Sequence, residues 1–174
     1  MAALALPVFQ PATALTRDDF ETKWERRASS SAALTKPKEF AFVVPSSGIS
    51  YKVIVATEQV PSWVAPTISG FIRIHMLPDN WDSYSASRID RDLIKQALLV
   101  IEQIMDFNSP PPSVVPLGSG GLQLEWHRKQ QDLEISFTTE DPSGFFYRDR
   151  RNGVEQEGFA TDIAGLAQLM RNIA

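Results

Sequence analysis

The sequence predicts an α+β protein: an antiparallel β-meander of about four strands covered by two helices, with an N-terminal hairpin and arm in front. Three observations predict it. In the C-terminal half, apolar residues recur at every second position in LQLEW and LEISF, and FFYRD and VEQEGFA follow as further strand-like runs. The connections between these runs are too short for the crossover that parallel strands require. Two stretches with three- and four-residue apolar spacing, a long one from 91 to about 107 and a shorter one near the C-terminus, supply helices to cover one face of such a sheet.

Residues 1–38 read as a partly ordered arm and 39–174 as a single α+β domain. Within the arm, DDFETKWERR (18–27) permits a short helix capped by Thr16, which sets Phe20 and Trp24 one turn apart on a face suited to docking on a partner. Residues 28–37 have linker composition. From Phe40 the pattern turns to strand: FAFVV and ISYKVIVA, joined by a PSSG turn, read as a hairpin. Residues 67–76 fit two patterns. Ile68, Phe71, Ile72 and His75 share a helical face, whereas Ile72, Ile74 and Met76 alternate as in a strand; a short helix is the preferred expectation, and Gly70 weakens both.

LPDNWDSYSASRID (77–90) comes next, and the chain is organised around it. Pro78 biases Leu77 away from helical angles, and Asp79, Asn80 and Asp82 offer side chains that hydrogen-bond local backbone and stabilise turns. Asp90 is placed to cap the following helix, with Ile89 and Ile94 at the spacing of a hydrophobic staple. In that helix Leu93, Ala97, Val100, Ile101 and Ile104 form a stripe that Ile94, Leu98 and Met105 widen, so it should be substantially buried. Asn108, Ser109 and the prolines behind them are expected to stop it. The first two strands of the meander should turn through RKQQD, and Asn152-Gly153 suits a type I′ turn between the last two. In the final helix Thr161 is the expected N-cap, Asp162 falls in the first turn, and Ile163, Leu166, Ala167, Met170 and Ile173 form the stripe.

Composition narrows the function classes. A formal net charge of −4 and a pI near 5.2 disfavour a general nucleic-acid or anionic-membrane binder. The absence of cysteine excludes disulfides, thiolate catalysis and cysteine-based metal sites. The start of the chain lacks the charged lead of a secretory signal, and no apolar run approaches the roughly 20 residues that span a bilayer, so a cytoplasmic protein with no membrane partner is expected.

The motifs that carry chemistry are sparse. GSGG (118–121) leads into a strand rather than a helix, unlike a dinucleotide fingerprint, and reads as a flexible hairpin turn. His75 and His127 fall in no metal-ligand spacing, so no metal and no cofactor are expected, and no catalytic residue is assigned. Glu125 and His127 lie two residues apart on the polar face of a strand, a possible acid–base or ligand-binding pair, with Asp82 as a third group. Arg148, Arg150 and Arg151 gather at a hairpin tip and suggest a nucleic-acid adaptor as a further alternative. Trp81 and Tyr84 are interface-prone types set among turn formers, while Trp126 alternates with Leu122 and Leu124 and belongs to the core.

The stretch LPDNWDSYSASRID, the apolar helix after it, and GGLQLEWHR with LEISF together resemble a group of uncharacterised small bacterial proteins. These share an L-P-x-x-W-D-x-Y-x-A loop and a G-G-x-Q-L-E-W strand. The resemblance runs from Leu77 to the C-terminus; residues 1–60 lie outside it. It implies a coherent domain, supplies no activity, and points to bacterial accessory, phage-defence or toxin–antitoxin settings. Ser85 stands where the pattern often carries glycine, which argues against a strained turn there. The leading expectation is a non-enzymatic subunit that binds another protein, encoded nearby, through Phe20, Trp24, Trp81, Asp82 and Tyr84. In this reading 77–90 is a corner that locks the helix onto the meander, and only the outward edges of Trp81 and Tyr84 are free for recognition.

Overall fold

The computed structural model describes residues 38–44, 49–55 and 60–174. The chain divides into two compact units, Met1–Val60 and Pro61–Ala174. In the first, β1 (Lys38–Val44) and β2 (Ile49–Val55) pair antiparallel, from Lys38 opposite Val55 to Val44 opposite Ile49. They form a two-stranded sheet of their own, separate from the five-stranded one. The expected arm helix with Phe20 and Trp24 lies outside the described residues.

The second unit is α+β. Its sheet has five antiparallel strands in the order β3-β4-β5-β6-β7, one more than expected. They are β3 (Ser113–Pro116), β4 (Leu122–Arg128), β5 (Gln131–Phe137), β6 (Gly144–Asp149) and β7 (Val154–Phe159). The additional strand is β3, which lies in the proline-rich segment that reads as a helix stop. Four residues with a proline at the end carry too little alternation to announce a strand, and β3 forms because Val114 pairs with Leu124 of β4.

Three helices accompany the sheet. The ambiguous segment is a helix, α1 (Val64–His75), beginning three residues before the expected span. Pro66 sits in its first turn, where a missing N–H costs nothing. The close approach to β3 explains Gly70: a Cβ there would lie 2.8 Å from Val114 Cγ2. The main helix α2 (Arg91–Ile104) starts as expected, with the Asp90 carboxylate accepting from Asp92 N at 2.7 Å and both staple residues, Ile89 and Ile94, buried. It ends three residues short of the expected 107, because Met105 is already extended. Instead, a turn from Asp106 to Ser109 takes over, and Trp63 Nε1 donates to the Asp106 carbonyl. The last helix, α3 (Ile163–Ile173), is capped by Asp162, which accepts from Gly165 N, and not by Thr161.

The core lies between the helices and one face of the sheet. Leu122, Leu124, Trp126, Leu133, Ile135, Phe137, Phe145 and Tyr147 point to it from the strands. Leu93, Ile94, Ala97 and Ile101 of α2 and Leu166, Met170 and Ile173 of α3 meet them, all buried. Trp126 is 2% exposed, and its indole N–H donates to the Pro110 carbonyl. No helix among the described residues is long and apolar enough to cross a membrane.

Two hairpin turns exchange expectations. The β4–β5 turn is only Lys129 and Gln130, both at positive φ (52° and 64°), the type I′ geometry that usually selects Asn and Gly. At 150–153, where Asn152-Gly153 predicts type I′, the turn is longer and only Gly153 has positive φ. The cause is Asp149, whose carboxylate accepts from the Arg151 and Asn152 amides and from Asn152 Nδ2, and so fixes a four-residue loop.

Candidate functional site

The loop 77–90 is built by its own short polar side chains. Asp79 accepts from Arg88 N (3.0 Å), Asn80 from Ser85 N (2.7 Å), and Asp82 from both Tyr84 N (2.7 Å) and Ala86 N (3.1 Å). Backbone bonds from Asn80 N to the Ala86 carbonyl and from Ser83 N to the Asn80 carbonyl close it further. It is then pinned to the β3–β4 turn, where Ser87 N and Asp90 N donate to the Gly118 and Gly120 carbonyls, each at 2.9 Å. GSGG is thus a hairpin turn, but one held by the loop instead of a flexible one. Gly120 has φ 88°, and a Cβ on it would approach the Arg88 carbonyl to 2.9 Å.

This geometry separates the three of the five expected recognition residues that belong to the loop. Asp82 spends its carboxylate inside the loop. Trp81 is half-buried, and its indole N–H donates to the Ser87 carbonyl at 3.3 Å. Tyr84 is 88% exposed. On either side of it Ser83 and Ser85 have φ of 65° and 72°, and Asn80 has 59°. The strained turn at Ser85 therefore forms without glycine, contrary to expectation; the carboxamide and carboxylate bonds from Asn80 and Asp82 hold the backbone there.

The second cluster sits on the sheet face turned away from the helices, at the β4–β5 turn. His127 Nδ1 is 2.9 Å from Asp132 Oδ1 and Nε2 is 3.3 Å from Glu125 Oε2. Arg150 grips the other oxygen of Asp132 through Nε and Nη2, at 3.0 and 2.7 Å. The hydrogen bond to Asp132 holds the imidazole above its ordinary 6.5 against the opposing effect of burial, and Glu125 adds to it. Burial acts to raise the Asp132 carboxyl, but the hydrogen bonds from His127 and Arg150 outweigh it and hold the group below its ordinary 3.8. Both ring nitrogens of His127 face carboxylates, so the arrangement favours an imidazolium that clasps two strands together. Beside it lies a hollow of about 310 Å³ lined by His127, Asp132, Arg150 and the turn.

The expected pair of Glu125 and His127 is therefore brought together, whereas Asp82 is occupied in its own loop. Sequence reading missed Asp132, and it set Arg150 in an arginine trio at a hairpin tip and not beside His127. Placing RKQQD in the turn takes Asp132 out of the strand; a two-residue turn at Lys129-Gln130 would have set it directly opposite His127. The arginine trio is partly committed, with Arg150 on Asp132 and Arg148 on Glu155 at 2.8 Å and above the Phe146 ring. No group of three metal-ligating side chains occurs among the described residues. Comparison of the chain with protein-family models, curated proteins and solved structures gives no match.

Proposed function

We propose that the protein is a non-enzymatic interaction subunit that binds another protein through the loop around Tyr84, in a bacterial accessory setting such as an antitoxin, immunity or phage-defence complex. The observation that supports this reading is Tyr84 itself: a large side chain, 88% exposed, on a loop whose backbone is fixed by hydrogen bonds and left-handed residues on both sides. Leaving an aromatic in water on a flexible loop would be unremarkable. Holding it there on a rigid one removes the ordering cost that binding otherwise incurs, and tyrosine is enriched among the residues that dominate interfaces. Backbone strain of this kind also concentrates at functional positions.

The test compares the native protein with Tyr84→Ala in partner capture from the native host, alongside thermal unfolding of each. Loss of a specifically retained protein with stability changed by less than about 0.5 kcal/mol supports the reading. Retention of the same partner by the variant refutes it. A second reading, small-ligand binding at Glu125 and His127, draws support from the hollow beside them; it requires His127→Ala to abolish a ligand while leaving the fold intact.

A further inference from the structure

The sheet has two edges, and they are treated differently. β3 is short, ends in Pro116, and is packed against α1, all of which discourage further strand pairing. β7 has six residues, no proline, and every one of them exposed; it ends the strand order among the described residues. Its register decides which backbone groups are open. Ala160 N donates to the Ser143 carbonyl at 2.8 Å, so by the alternation of an antiparallel ladder residues 158, 156 and 154 bond to β6. That leaves the N–H and C=O of Glu155 and Glu157, and the N–H of Phe159, aimed at the open edge. The Phe159 carbonyl is taken by Asp162 N.

The same three residues project their side chains onto the sheet face opposite the helices, and Phe159 is 63% exposed. Glu155 is paired with Arg148, whereas the Glu157 carboxylate has no hydrogen bond or ion pair among the described residues. From this edge we infer a docking site for an extended segment of another protein that carries basic side chains at alternate positions and an apolar one at the end. Charge selects that occupant over a second copy of the chain. In a two-fold pairing of β7 with itself that continues the sheet, centring on Gln156 sets Glu155 against Glu157, and centring on either glutamate sets it against its own copy. Centring on Gly158 sets each Glu157 against a Phe159 ring. Directly opposed like charges destabilise a strand pair and opposite charges stabilise it. The added strand would take its affinity from backbone bonds and its specificity from the alternate side chains. This site lies on a different part of the fold from Tyr84 and does not depend on it.

The test uses the full chain and a synthetic peptide, Ile-Thr-Lys-Thr-Lys-Thr, with Ile-Thr-Glu-Thr-Glu-Thr as control, and follows amide hydrogen exchange by NMR. In excess lysine peptide the Glu155, Glu157 and Phe159 amides should slow by about tenfold or more, and the glutamate peptide should leave them unchanged. Glu157→Pro removes one outward N–H while leaving the ladder to β6 intact, and should abolish the effect; Glu157→Lys should weaken it. Equal protection by both peptides, no protection by either, or protection that survives Glu157→Pro overturns the inference. So does slow exchange of these amides without peptide, whether it rises with protein concentration, as a second copy at the edge would produce, or does not, as cover from the same chain would.

Discussion

Replacing Ser83 or Ser85 with glycine should stabilise the protein, which is unusual for a change to glycine. Both serines sit at left-handed φ, 65° and 72°, where a Cβ crowds the following carbonyl. That conformation costs an ordinary L-residue about 1–2 kcal/mol. Glycine avoids the cost but gives the unfolded chain more freedom, worth about 0.5–1 kcal/mol against folding. The difference leaves a gain of roughly 0.5–1 kcal/mol at each position. Neither hydroxyl makes a hydrogen bond among the described residues, and the bonds that define the loop, from the Tyr84, Ser85 and Ala86 amides, are all backbone donors that the substitution preserves. Urea unfolding is the direct assay: the midpoint should rise with an unchanged slope, and the melting temperature should rise by roughly 3–5 °C per kcal/mol for a domain of this size. Ser85→Val should move the other way, because a β-branched side chain fits left-handed backbone worst. If both glycine variants lowered the midpoint, the left-handed geometry on which the Tyr84 argument stands would be wrong.

Gly120→Ala should destabilise by about 2 kcal/mol or more, since it combines positive φ with a contact on the Arg88 carbonyl; loss of protection at the Asp90 amide would show the loop leaving the β3–β4 turn. Asp132→Asn should cost about 1–3 kcal/mol in chemical unfolding, because it removes the buried negative charge and turns one of its two acceptor oxygens, held by His127 and Arg150, into an NH2 donor. The pH dependence has a definite sign. His127 is raised in the folded state, so its contribution is complete below 6.5 and fades as pH climbs through the higher folded value; stability should fall across that window in the native protein and stay flat in His127→Gln. Asp132 is lowered, so its contribution holds above 3.8 and disappears as pH falls through the folded value, a loss that Asp132→Asn should remove from the acid limb.

Much of the second unit is legible from spacing and local chemistry. The stripe from Leu93 to Met105 announces α2, and the Asp90 cap with its Ile89–Ile94 staple fixes where it starts, since these involve residues within a turn of each other. Alternation places Leu122, Leu124, Trp126, Leu133, Ile135 and Phe137 in the core. The candidate sites are only half legible. Tyr84 is recognisable as an aromatic among turn formers, but its separation from Trp81 and Asp82 depends on which hydrogen bonds the loop closes. His127 and Glu125 are readable as same-face neighbours, yet Asp132 arrives from β5 through a register that a two-residue turn sets, and Arg150 arrives from the loop between β6 and β7.

By itself, then, the sequence determined the α+β class, the buried helix and its start, the alternating strands, and the exclusion of cysteine chemistry, because each follows from residue type or from interactions between near neighbours. Only the tertiary structure decided that β3 is a strand, that 64–75 is helical, and that Lys129-Gln130 turns without glycine. It alone also showed that Ser83 and Ser85 bear the strain around Tyr84 and that β7 faces outward with Glu155 and Glu157. The physical reason is common to all of these. Each short segment has two local conformations of similar free energy, and contacts with residues distant in sequence, Val114 on Gly70, Arg150 on Gln130, the glycine turn on Ser87 and Asp90, select one of them.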